Sequence, residues 1–217
     1  MKVIRLQVFQ EKASYRVAYS FENIETYPLP PYSTVLGFLH NILQAKETIN
    51  GINLSIQGRY EGLVKNYIRF HKFESKKNKG KPYPIVVAEL FNVELIIHIR
   101  MPSEKLHMDL LNSLKNPPLY PYLGRPEDLI VEMQAEEVED IQKEIEDLPY
   151  NAYIPKGLAD KLNLELDGIL YNIDTYYNKV NSIRVFKKIP VLYVQEQYTV
   201  AEKVNHDGSY PIWWMSY

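Results

Sequence analysis

Val3-Ile4-Arg5-Leu6-Gln7-Val8-Phe9 puts Ile4, Leu6 and Val8 on one side and Arg5 and Gln7 on the other, the two-residue period of a half-buried strand. Past a linker that ends in Tyr27-Pro28-Leu29-Pro30-Pro31, the period changes. Val35, Leu36, Leu39, Ile42 and Leu43 share one helical stripe, with Ser33 placed as N-cap, and predict a helix over 34–46. Residues 53–73 read as extended, broken by Gly58 and Gly62, and 85–100 as one or two strands with a turn near Phe91-Asn92. Ser103 caps a second predicted helix over 104–115, apolar through Leu106, Leu110, Leu111 and Leu114 and ended by Pro117-Pro118. Strand, helix, strands, helix is the order of an α+β, split βαβ or ferredoxin-like unit. Its helices pack on one face of an antiparallel sheet and leave the other face free for a ligand.

Downstream, Val138, Ile141, Ile145 and Leu148 recur at helical spacing among acids and predict a solvated helix over 135–148. Ile183 to Val194 reads as a strand interrupted by Pro190, which suggests an edge position, and the aromatic end Ile212-Trp213-Trp214 is expected to pack onto another surface. A length of 217 residues suits one main domain with a smaller appendage. Hydrophobic residues at 46% exclude a mostly disordered chain. The absence of cysteine excludes disulfides, thiolate zinc and a thiol nucleophile. No stretch has the length of a membrane span or the pattern of a leader, so a cytoplasmic protein is expected. A net charge of −2 argues against a globally basic nucleic-acid binder and leaves room for a local basic patch.

That patch lies between 69 and 81, where Arg69, Lys72, Lys76, Lys77, Lys79 and Lys81 face Glu74 alone. Just before it, Tyr67, Arg69, His71 and Phe73 project from one face if the segment is extended. This combines cations for phosphate with rings for base stacking, which is worth roughly 1–3 kcal/mol per base in single-strand complexes. A solvated hairpin tip with a few core rings explains the same residues equally well. Over 127–147 ten acids stand against Lys143, an exposed acidic face. The helix start at Ser33-Thr34, with Gly37 nearby, offers backbone N–H groups to a phosphate, although ordinary capping accounts for Ser33 as well. His98 and Arg100 share a strand face with Glu94 and Ile96 and fit either RNA contact or a satisfied half-buried imidazole. No two histidines have metal-ligand spacing, and nucleotide-binding and serine-hydrolase motifs are missing, so no metal or cofactor is expected.

Ala13-Ser14-Tyr15-Arg16, followed by Thr26-Tyr27-Pro28-Leu29-Pro30-Pro31-Tyr32-Ser33-Thr34-Val35-Leu36-Gly37-Phe38-Leu39, resembles the amino-terminal signature of the fifth CRISPR-associated (Cas) protein family. Tyr122-Leu123-Gly124-Arg125-Pro126-Glu127-Asp128-Leu129 and Ile189-Pro190-Val191-Leu192-Tyr193-Val194 are similar to later segments of it. The resemblance implies a repeat-associated (RAMP) fold: an RNA-recognition-like (RRM-like) ferredoxin domain over 1–133 with a β-hairpin thumb near 69–84, and a reduced carboxy-terminal portion, 134–217, packing on it. It implies a subunit that holds the 5′ handle of the guide crRNA in a Cascade complex, beside the backbone and large subunits. Carried onto this chain, Lys76, Lys77, Lys79 and Lys81 become the thumb, and Ser33 and Thr34 a handle-binding edge, while Arg69 and His71 stay RNA-binding candidates on the strength of the basic patch. Tyr15, Arg16, Gly124 and Arg125 are further candidates. A branch of the family in subtype I-C cuts guide RNA with tyrosine and an adjacent Lys-His pair. This chain has only the reverse order, His71-Lys72, which points to the non-cutting subtypes, with I-B the most similar in character. The alternatives are a metal-independent endoribonuclease using a histidine such as His71 or His98, and a small interaction domain unrelated to RNA.

Overall fold

The computed structural model describes residues 1–70, 82–181 and 183–216. It is a mixed α/β fold built mostly of strands. The alternating stretch forms β1 (Lys2–Ala13), with Ile4 and Leu6 fully buried and Val8 nearly so. Two short strands, β2 (Tyr15–Arg16) and β4 (Thr26–Tyr27), pair with each other, with β3 (Asn23–Ile24) between them in sequence. Helix α1 (Tyr32–Ile42) starts two residues earlier than the apolar stripe predicts and is capped by Pro31 rather than Ser33. The Pro31 carbonyl accepts from Thr34 and Val35, and no side chain caps the turn. Proline's fixed φ presets the helix entry. The helix stops at Ile42 instead of 46, because Gln44 takes a left-handed φ of 50°.

Next come β5 (Asn53–Arg59), β6 (Gly62–Phe70) and β7 (Tyr83–Arg100). β5 and β6 lie end to end along the same side of β7, so 85–100 is one continuous strand. The turn expected at Phe91-Asn92 is only a local irregularity, where Asn92 adopts φ 49°, a conformation asparagine tolerates better than most residues. Helix α2 (Glu104–Lys115) matches its predicted span, and the Ser103 side chain accepts from the Leu106 amide.

The predicted helix over 135–148 is instead β8 (Glu132–Glu139) and β9 (Ile141–Asp147), with Asp140 at the corner. Pairing with β1 decides the matter: Lys2 meets Glu137 at 2.6 Å and Arg5 meets Glu136 across the ladder. An acidic strand beside a basic one outweighs an intrinsic preference for helix. The chain finishes with β10 (Asn151–Pro155), α3 (Lys156–Lys161), β11 (Ile169–Val180), β12 (Ile183–Val194), β13 (Thr199–His206) and β14 (Pro211–Ile212). Pro190 lies one residue beyond the β10 pairing of β12, where its missing N–H costs no ladder bond on that side.

The main sheet runs β11-β12-β10-β5-β7-β1-β8, with β3 and β6 also on β7. Its β8-β1-β7-β5 portion is antiparallel throughout. α1 connects β1 to β5 in sequence and α2 connects β7 to β8. The helices bury Val35, Leu39, Leu110 and Leu114 against Ile4, Leu6, Leu54 and Ile97. The opposite face is not left open as the sequence suggested. Trp213 and Trp214 are buried, the Trp213 amide donates to Ser55 Oγ, and Gln57 Nε2 donates to the Pro211 carbonyl. The aromatic tail covers the chain's own sheet, since two indoles withdrawn from water bring more stabilisation than an open sheet face would.

Candidate nucleic-acid interface

β1 ends and β2 begins against the turn 122–128, and a buried polar network joins them. Gln10 Nε2 donates to the carbonyls of Leu123 and Asp128, at 2.9 and 2.8 Å, and Gln10 Oε1 accepts from the Tyr15 hydroxyl at 2.8 Å. Asp128, fully buried, accepts from the amides of Ser14 and Arg125. Gly124 sits at φ 111° with an added Cβ only 2.8 Å from Asp128 Oδ2, so glycine alone fits there. Tyr15 is 1% exposed and therefore holds the turn rather than offering a ring to a ligand. Arg125 likewise spends its guanidinium internally, on Asp128 at 2.7 Å and Glu89 at 2.6 Å. Burial pushes the Glu89 carboxyl up, but its bonds from Arg125 and Asn66 outweigh this and hold it below the ordinary range. Glu89 was invisible to sequence reasoning, because no local pattern marks a carboxylate that pairs 36 residues away.

The exposed candidates are differently placed. Arg16 is at the surface and donates to the Ser20 carbonyl. On β6, Lys65, Tyr67 and Arg69 alternate on one face, all exposed, with Tyr67 at 71%. His71, Lys72, Phe73, Lys76, Lys77, Lys79 and Lys81 lie outside the described residues.

Ser33, Thr34 and Gly37 form a ridge between two depressions. One, about 330 Å³, runs to Tyr122, Leu123 and Gly124, so two segments singled out in the sequence meet there. The other, about 750 Å³, opens between α1 and the β11–β12 ribbon, and Lys46, Lys179, Arg184, Tyr177 and Phe186 help to line it. The signal that could have revealed this ribbon is compositional: 175–190 holds Lys179, Arg184, Lys187 and Lys188 and no acid.

The described histidines are engaged or enclosed. His40 bonds the Leu36 carbonyl and the Ile49 amide through its two ring nitrogens. His107 pairs with Glu137, and His206 Nδ1 accepts from the Gly208 amide. His98 is 0% exposed and bonds Asp207 at 2.9 Å, which removes it as an RNA contact or a general base. Arg100 binds Asp140 at 2.6 Å and lies 4.2 Å over the Trp214 ring. Among the described helices none is long and apolar enough to cross a membrane.

The profile of the family described as CRISPR-associated protein (Cas_Cas5) matches residues 3–198, a span that takes in α1, the Gly124 turn and the β11–β12 ribbon. The chain belongs to this family. The fold of this Cas5 protein resembles a chain of a "CRISPR RNA-guided surveillance complex", with 10% identity, 91% of each chain covered and a TM-score of 0.60. It also resembles a chain in a structure of "the Type III-B Cmr-beta bound to cognate target RNA", with 13% identity, 91% of this chain and 86% of that one covered, and a TM-score of 0.52. At such identities the likeness is one of fold. Among curated proteins no sequence matches that of this Cas5 chain.

Proposed function

We propose that the chain is a non-cutting, RNA-binding subunit of a type I CRISPR surveillance complex (Cascade), holding the 5′ handle of crRNA in antiviral defence. The observation that carries this reading is the family match over residues 3–198. The exposed Lys65-Tyr67-Arg69 row and the cationic groove beside α1 supply the chemistry, rings for splayed bases and cations for phosphates. The strand order β8-β1-β7-β5 supports a ferredoxin-like, RRM-like RAMP unit continuing through β8, with the remainder packed on it. In this reading the β6–β7 hairpin is the root of a thumb that carries Lys76, Lys77, Lys79 and Lys81. The partners are the backbone and large subunits, the compartment is the cytoplasm, and the subtype is closest to I-B.

The endoribonuclease alternative draws no support from the described histidines, whose ring nitrogens are bonded or enclosed. Purifying the tagged chain from its native cells, then identifying partner proteins and RNA 5′ ends, tests the proposal. Uniform repeat-derived ends together with Cascade subunits are expected. Neither RNA nor such partners would refute it, and cleavage of repeat RNA in EDTA would replace it with the ribonuclease.

A further inference from the structure

On the β11–β12 ribbon, Tyr177 stands opposite Phe186 and Lys179 opposite Arg184, so all four side chains project from one face, toward α1. Two like charges directly across a ladder repel each other and destabilise the pair. Neither Lys179 nor Arg184 has a carboxylate within ion-pair distance among the described residues. Glu47 is the one acid in the lining, against Lys46, Lys179 and Arg184, so the groove is cationic. Beside the charges the Tyr177 and Phe186 rings lie 5.6 Å apart, and the Arg184 guanidinium lies 4.9 Å over Tyr177. A register shift between Asp174 and Tyr177 sets where this row begins, as bulges do where side chains are aimed at a ligand. The volume of about 750 Å³ falls in the range of small-ligand sites, roughly 300–1,000 Å³.

We infer that this groove seats an unpaired nucleotide of the bound RNA, with its phosphate between Lys179 and Arg184 and its base against the Tyr177–Phe186 pair. The anion relieves the cross-strand repulsion, the rings stack the base, and the Ser33 and Thr34 hydroxyls on the facing helix are within the same groove to meet its polar edge. This deepens the RNA-holding proposal and rests on it.

The complex purified with its native partners is irradiated with ultraviolet light and digested, and nucleotide-bearing peptides are mapped by mass spectrometry. Adducts are expected on Tyr177 or Phe186. In the same complex a Lys179→Gln/Arg184→Gln double variant should release RNA at lower salt, with a log–log salt slope shallower by roughly 0.7, the value for the one single-strand phosphate held between the two side chains. Both side chains are exposed, and an unchanged melting curve checks that the variant is folded. RNA present, with adducts confined to the β6–β7 hairpin and an unchanged slope, overturns the groove and leaves the RNA-holding proposal standing. A partner protein cross-linked into the groove overturns it too. Absence of RNA from the wild-type complex overturns both.

Discussion

The guanidinium of Arg125 lies 2.6 Å from the carboxylate of Glu89, joining the turn before β8 to the middle of β7. Glu89 is 3% exposed and Asp128 fully buried, so removing their shared cation strands two carboxylates inside the protein. Arg125→Ala should therefore destabilise the fold by about 3 kcal/mol or more, read as a lower urea midpoint. Arg125→Lys should recover only part of this, because one ammonium cannot span both acids. Near-wild-type stability of Arg125→Ala would show that the pair is not structural.

Gly124→Ala adds a Cβ at a left-handed φ and within 2.8 Å of Asp128 Oδ2. A loss of about 1–3 kcal/mol is expected. Thermal melting compared with a Gly62→Ala control, where an added Cβ meets nothing within 4 Å, isolates the effect of this site.

Gly37→Ala should act in the opposite direction. Nothing lies within 4 Å of a Cβ there and the residue is inside α1, so the helix gains about 0.8–1 kcal/mol. A larger substitution, Gly37→Gln, projects from the ridge into the flanking grooves and should weaken RNA retention while leaving the melting temperature at or above wild type. Retention equal to wild type with Gln in place would separate the ridge from RNA binding.

Acid should loosen the protein in two stages. Burial holds His98 below its ordinary 6.5, so it is neutral when folded, and the stability this reflects is present above pH 6.5 and declines as pH falls below that value. His206, also lowered by burial, adds to the same window. Glu89, held below 4.5, contributes stability present above pH 4.5 and lost as pH falls through its folded value. Urea midpoints taken from pH 7.5 to 5.5 should drop, and His98→Gln should flatten part of that drop. An identical slope in the variant would remove His98 from the account.

On the β6 face, Tyr67→Ala and Arg69→Gln should reduce RNA affinity with little change in stability, since both side chains are exposed. Neutralising Lys76, Lys77, Lys79 and Lys81 together should weaken guide binding and flatten its salt dependence through lost counterion release. A salt slope equal to wild type would count against the thumb.

What could be read from the residues was what depends on neighbours in sequence. β1 declared itself by alternation, α2 by its Ser103 cap and leucine stripe, and α1 by its apolar face. The reading failed where a distant strand decided the outcome. Val138, Ile141, Ile145 and Leu148 keep helical spacing, yet Lys2 and Arg5 across the ladder draw residues 132–139 into the sheet. The same limit hid the site. Lys179 and Arg184 are five positions apart in sequence and become a facing pair only through the β11–β12 register, and Arg125 looked like a ligand for RNA until Glu89 and Asp128 were seen around it.

The Trp213 amide bonds Ser55 Oγ and the Met215 amide bonds the Leu54 carbonyl, so residues 213–215 are tied directly to β5. On the ribosome β5 emerges long before its cover does, and at roughly 5–20 residues per second of synthesis the sheet waits many seconds with Ser55 and Gln57 on that face unpartnered by the tail. Until residue 215 clears the exit tunnel, the nascent chain presents a surface suited to chaperones or to premature partners, which makes this subunit's yield in the cell sensitive to how fast its message is read.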